Sequence, residues 1–279
     1  MKKKILILIV GLFVIIACGG TAPTSAPGVD SMVTQTLQAL TAAPAQTSTP
    51  EQLTPDGTTV NTAEISFIIP NGVANDAASA LNTNVEYPYI NPSSGDMPQH
   101  ITITLDLYAV SGAVYNPQIM VFRAAEYAQY SERTASTISS LQSLQYVDGQ
   151  PLPEALTADF ISQIHAVNFK NGYGVRYLTQ VFQNFNPVNN QELFYYYQGI
   201  TDDGQYFVQA TLPINTTYLS ADGNPNTPLP ADGIPFNMDD FPGYLNAVNQ
   251  KLNSTETFNF NPYLDALDEM IQSIQIIGF

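Results

Sequence analysis

Few side chains in this 279-residue chain have the types and spacing that chemistry needs. There is one cysteine, Cys18, and there are two histidines, His100 and His165, far apart in the chain. Neither histidine has a second ligand at metal spacing, which argues against zinc and transition metals. No G-x-S-x-G, H-E-x-x-H or Walker loop occurs. Adjacent carboxylates stand at Asp202-Asp203 and Asp239-Asp240. The first pair falls in a turn and the second at a helix start, where Asp serves local hydrogen bonding rather than acid–base work. The remaining candidate is Arg176, with His165, Tyr177, Gln180 and Tyr196 near it in the expected pairing. A lone arginine in an acidic chain has two roles open to it. It can pair with a partly buried carboxylate, or it can hold an anionic or carbonyl group of a ligand, with Tyr177 or Tyr196 as a flat contact surface.

Calcium is the one cation the residue set suggests. In SADGNPNTPLPADG, Asp222, Asn224 and Asn226 stand at alternate positions and resemble the start of an EF-hand loop. Thr227 occupies the place of the glycine and Gly233 that of the bidentate glutamate, so the likeness stops early. These residues are also ordinary loop formers.

The elements that must carry these residues are strands. ITITLDLY (101–108) alternates, with Ile101, Ile103, Leu105 and Leu107 on one face. AEISFIIP (63–70) and PQIMVFR (117–123) read as further strands. QIHAVNFKNGYGVRYLTQVF holds Asn171-Gly172 between two strand-like runs, and a type I′ hairpin there sets Phe169 opposite Gly174, Val167 opposite Arg176 and His165 opposite Leu178. A second hairpin turns at Asp203-Gly204. It places Leu193, Tyr195, Tyr197, Val208, Ala210 and Leu212 on one face, and Phe194, Tyr196, Phe207 and Gln209 on the other. A sheet so apolar on both faces is expected to be covered on both. SERTASTISSLQSLQY (131–146) reads as a helix capped by Ser131. Two more helices close the chain. One is capped by Asp240. The other takes Asn261 as cap and Pro262 in its first turn, with Asp265, Asp268 and Glu269 near its positive end and Leu264, Leu267, Ile271 and Ile274 as its buried stripe. The fold class expected is α+β: a largely antiparallel sheet of six or seven strands with helices packed against it and a helix at the C-terminus.

The N-terminus reads MKKKILILIVGLFVIIACGG. Lys2 to Lys4 form a basic start, and Ile5 to Ala17 is apolar apart from Gly11. At about 1.5 Å per residue this run reaches about 20 Å, short of the ~30 Å hydrocarbon core. A signal peptide is therefore expected over residues 1–17. Ile15-Ile16-Ala17-Cys18 resembles the lipobox of bacterial lipoproteins. That resemblance implies cleavage before Cys18, lipidation of Cys18 and stable membrane attachment through more than one acyl chain. Gly19, rather than Asp, gives no retention signal for the inner membrane, so the membrane, inner or outer, stays open. Residues 18–62, rich in Thr, Pro, Ala and Ser, are expected to be the anchor and a disordered tether, and 63–279 one globular domain.

FKNGYGVRYLTQ and LFYYYQGITDDGQYFVQATLPI look like a group of uncharacterised bacterial lipoproteins with Thr/Pro tethers. The strand-rich chain ending in DALDEMIQSI remotely resembles the Mog1/PsbP-like α/β sandwich. Neither likeness implies an activity.

Charge bounds the partners. The chain has 24 acids and 8 bases. Loss of Lys2, Lys3 and Lys4 leaves Arg123, Arg133, Lys170, Arg176 and Lys251 as the only bases, which excludes nucleic acid as a partner. The function expected is a lipid-anchored extracytoplasmic protein, on the cell or outer membrane, with a non-catalytic binding or accessory role toward an envelope partner or ligand. A surface-acting hydrolase and a calcium-dependent adhesion or structural protein are the alternatives.

Overall fold

The computed structural model describes residues 56–83, 97–145 and 148–279. Cys18, the lipobox and the tether lie outside the described residues. In chain order the elements are β1 (Gly57–Asn61), β2 (Ile65–Pro70), β3 (Asp76–Asn82), β4 (His100–Asp106), β5 (Gln118–Arg123), α1 (Ala124–Ala128) and α2 (Glu132–Gln142). They continue with β6 (Ser162–Ala166), β7 (Gly172–Thr179), β8 (Phe194–Thr201), β9 (Tyr206–Pro213) and β10 (Asn215–Thr216). The last are α3 (Phe241–Asn253), β11 (Phe260–Asn261), α4 (Leu264–Gln272) and β12 (Gln275–Ile276).

Seven strands form one sheet in the order β3-β4-β5-β9-β8-β7-β6, antiparallel throughout. A second sheet runs β1-β2-β12, also antiparallel. The fold is thus mixed α+β and mostly sheet, with a helix near the C-terminus.

Side-chain alternation splits the large sheet into two faces. The first carries Ile103, Ile119, Tyr195, Tyr197, Val208 and Leu212, all buried in one core with residues of α3, α4 and the small sheet. The second carries Met120, Phe122, Val175, Tyr177, Ile200 and Phe207, buried with Tyr127 of α1 and with Ile138 and Leu141 of α2. The aromatic residues read on both sides of the second hairpin are the reason: each side needs cover, and each receives it.

That hairpin forms in the expected register, with Tyr197 opposite Ala210 and Ile200 opposite Phe207. Gly204 takes φ 71° in its turn. Asp203 accepts from the Thr201 hydroxyl at 2.6 Å and from Gln205 N at 3.0 Å. The first hairpin differs from expectation by two residues. Phe169 faces Gly172, not Gly174, and His165 faces Arg176, not Leu178. The turn is therefore Lys170-Asn171. Asn171 accepts from Ile276 N at 3.0 Å and donates to Ile276 O at 2.8 Å, so β12 holds the turn from a part of the chain remote in sequence. Gly172 serves closeness rather than positive φ. A Cβ there would stand 2.1 Å from Phe169 Cζ and 2.4 Å from Ile200 O.

Three local expectations are corrected. Leu107 leaves the alternation of β4: the strand stops at Asp106, and Leu107 has φ 48° and is 70% exposed. Asn261 does not cap α4. Its backbone is extended and pairs with Asn215, the Asn261–Pro262 bond is cis, and the helix starts at Leu264. Asp268 faces the interior because it shares the buried stripe of Leu264, Leu267 and Ile271, which with Ile274 are buried as expected. Folded structure also begins before Ala63. Val60 is buried, and Gly57–Asn61 pair with Ser66–Pro70. The Ser131 and Asp240 caps form as expected, accepting from Thr134 N at 3.1 Å and Gly243 N at 3.0 Å.

Candidate functional site

Arg176 is 3% exposed. Its Nε and Nη2 each donate to one carboxylate oxygen of Asp268 at 3.1 Å, and Nη1 donates to Gln163 O. Tyr195 donates to Asp268 Oδ1 at 2.8 Å and lies under the guanidinium, 5.8 Å from its carbon to the ring centroid. Burial pushes the Tyr195 hydroxyl far up, and the Asp268 charge adds to this. The four groups form a closed, bidentate ion pair between β7 and α4, with no face left for a ligand. Of the two roles open to Arg176, the structure places it in the ion pair and not at a ligand.

The other members of that candidate set scatter. His165 stands opposite Arg176 but turns outward, with Nδ1 2.5 Å from Asp148 Oδ2 and both side chains about half exposed. Gln180 is spent on the 187–192 loop. Its amide nitrogen donates to Pro187 O and Glu192 Oε2, both at 3.1 Å, and its oxygen accepts from Asn189 N at 3.0 Å. Tyr177 and Tyr196 pair across β7 and β8 with ring centroids 5.4 Å apart. They lie on the second sheet face, because neighbours along a strand point to opposite sides.

The 222–227 loop is internally bonded. Asp222 Oδ1 accepts from Asn224 N at 2.9 Å and from the Thr227 hydroxyl at 2.5 Å, and Asn224 Oδ1 accepts from Asn226 N at 3.0 Å. The Thr227 hydroxyl, then the Asn224 N–H, hold the Asp222 carboxyl below its usual range. Among the described residues, no group of three or more His, Cys, Asp or Glu side chains is placed to hold a metal ion.

What the second face does build is a cleft of about 450 Å³. Its floor is the sheet itself: Tyr177 and Thr179 from β7, Phe194, Tyr196 and Gln198 from β8, and Gln209 from β9. One wall comes from Tyr127, Tyr130 and the first turns of α2, the other from the 154–159 segment. Strand alternation explains the floor, since 194, 196 and 198 must share a face.

Most polar groups of the cleft are committed. Gln198 donates to Leu156 O at 2.7 Å, Thr179 to Phe160 O at 2.7 Å, and Thr137 to Arg133 O at 3.0 Å and Ala155 O at 3.1 Å. Gln209 is the exception. It is 2% exposed, and its Nε2 has no hydrogen-bond partner. Burial pushes the Tyr177 hydroxyl up, with the Arg133 guanidinium acting the other way. Glu154 and Asp159 border the cleft and are solvent-exposed. A smaller cavity of about 270 Å³ opens under the 218–236 loop between Tyr218, Phe236 and Tyr244.

Of the expected site residues, Tyr177, Tyr196 and Gln180 border this cleft, and Arg176 and His165 do not. Gln209, Tyr127, Tyr130 and Arg133 were not in the expected set. The signal for Gln209 was available: a polar amide on an otherwise aromatic strand face. The α1 and α2 residues carry no such signal, because their place against the sheet is a tertiary fact. No family model matches this chain, and no match is found among curated proteins or solved structures.

Proposed function

We propose that this chain is a lipid-anchored extracytoplasmic protein whose folded domain is a non-catalytic binding module at the cell envelope. The observation that carries the binding role is the cleft, with Tyr127, Tyr130, Tyr177, Tyr196 and Phe194 around one buried, unpaired amide. Concave, mostly apolar sites with a few polar groups are how proteins hold small molecules. A non-catalytic role is supported by the position of the carboxylates. Glu154 and Asp159 stand in solvent at the border, whereas general-acid work asks for a carboxyl enclosed in apolar surroundings. Arg176, the cation that the sequence offered as a ligand contact, is held in its ion pair.

The anchor rests on the basic start, the short apolar run and the Ile15-Ile16-Ala17-Cys18 box. Cys18→Ser is expected to abolish incorporation of labelled fatty acid and to release the protein from the membrane fraction. Cys18→Ser protein that stays in membranes through salt and carbonate washes would refute the anchor.

A further inference from the structure

We infer that the cleft on the second sheet face binds a neutral saccharide of one or two rings, read by the Gln209 amide and seated against Tyr196. The inference rests on the reading of the domain as a binding module and adds the ligand class.

The floor strands β7, β8 and β9 are interior strands of the seven-stranded sheet, so their backbone groups are spent in the ladder. Recognition there must come from side chains. A peptide brings a row of amide groups that this floor cannot pair, and it has no free strand edge to join. A purely apolar ligand would offer Gln209 Nε2 no acceptor and so gain nothing from it. An anion would find one cation at the cleft, the exposed Arg133, which already donates to Thr157 O at 3.0 Å, and would reach it past the exposed carboxylates of Glu154 and Asp159 in a chain of net charge −16. An amine would find those carboxylates only at the open border, where ion pairs are worth little.

A sugar ring meets each condition. Its C–H face packs on Tyr196, the half-buried ring, which Tyr177 holds from below with centroids 5.4 Å apart. Its hydroxyl oxygens accept from the orphaned Gln209 donor. Its remaining hydroxyls stay in water at the open border beside Glu154 and Asp159, so they need no buried partner. The volume of about 450 Å³ lies in the range of small-molecule sites.

The test is calorimetric titration of the full chain, purified in detergent. The probes are maltose, cellobiose and N,N′-diacetylchitobiose, with adenosine and glucose 6-phosphate as contrasts. At least one neutral disaccharide is expected to bind with a millimolar or lower Kd. Gln209→Leu is expected to weaken it tenfold or more while Tm stays level or rises, because an apolar isostere removes the orphaned donor. Tyr196→Ala, at a half-buried position, is expected to weaken it similarly. Gln209→Leu chain that melts earlier, or that binds the disaccharide as before, overturns the role of Gln209. Tyr196-dependent binding of adenosine with no disaccharide bound overturns the saccharide class and leaves the binding module standing. No Tyr196-dependent binding of any probe overturns both.

Discussion

Arg176 and Asp268 illustrate how little a residue's type says about its job. The chain is poor in bases, and a guanidinium in a strand next to tyrosines reads first as half of an ion pair and second as a ligand clamp. The structure chooses the ion pair, with both charges withdrawn from water and satisfied by Tyr195 and the Gln163 carbonyl as well as by each other. Removing one partner of such a pair strands the other, which costs about 3–5 kcal/mol. Arg176→Ala is expected to lose about that much stability in urea unfolding. The double replacement Arg176→Met with Asp268→Leu is expected to recover part of it, since an apolar pair of similar volume needs no counter-charge, while the Tyr195 hydroxyl and the Gln163 carbonyl lose their partners. A double variant no more stable than Arg176→Ala would contradict this account. Tyr177 shows the opposite limit. It sits beside Arg176 in sequence, yet the strand period of two sends it to the other core.

At the scale of elements, the parts specified by local pattern were legible and the parts specified by distant contacts were not. The second hairpin carries its own register in the alternation of Leu193, Tyr195 and Tyr197 against Val208, Ala210 and Leu212, and it forms that way. The first hairpin carries an Asn-Gly pair that points to a turn one residue later than the real one. A two-residue change of pairing keeps every side chain on its face, so the hydrophobic pattern cannot resolve it. The tie from Asn171 to Ile276 does. β3 escapes sequence reading because DAASALN lies at a sheet edge with mostly exposed positions. Gly172 tests the tighter register. Gly172→Ala is expected to destabilise by about 1–3 kcal/mol through the clash with Phe169 and the Ile200 carbonyl, read as a lower urea midpoint. In a two-residue turn over Asn171-Gly172 the same change would have to be judged by φ alone, and amide exchange at Phe169 and Gly172 distinguishes the two pairings.

At the scale of the molecule, the large sheet divides the interior into two cores that share no side chain, one under α3, α4 and the small sheet, the other under α1 and α2. The cleft belongs to the second core alone, so ligand-site variants such as Gln209→Leu leave the first untouched. The Thr, Ala and Pro composition of residues 19–55 places the first protease cuts ahead of Gly57, with a resistant fragment starting near that residue. An initial cut between residues 163 and 214 would contradict the arrangement. The small sheet has a further effect on the life of the chain. β2 pairs with β12, Ile65 against Ile276, so the beginning of the domain is completed by its last few residues. A chain made from its N-terminus therefore cannot close the larger core until β12 has emerged. Until then β2 has β1 on one side only, and the larger core lacks Ile276.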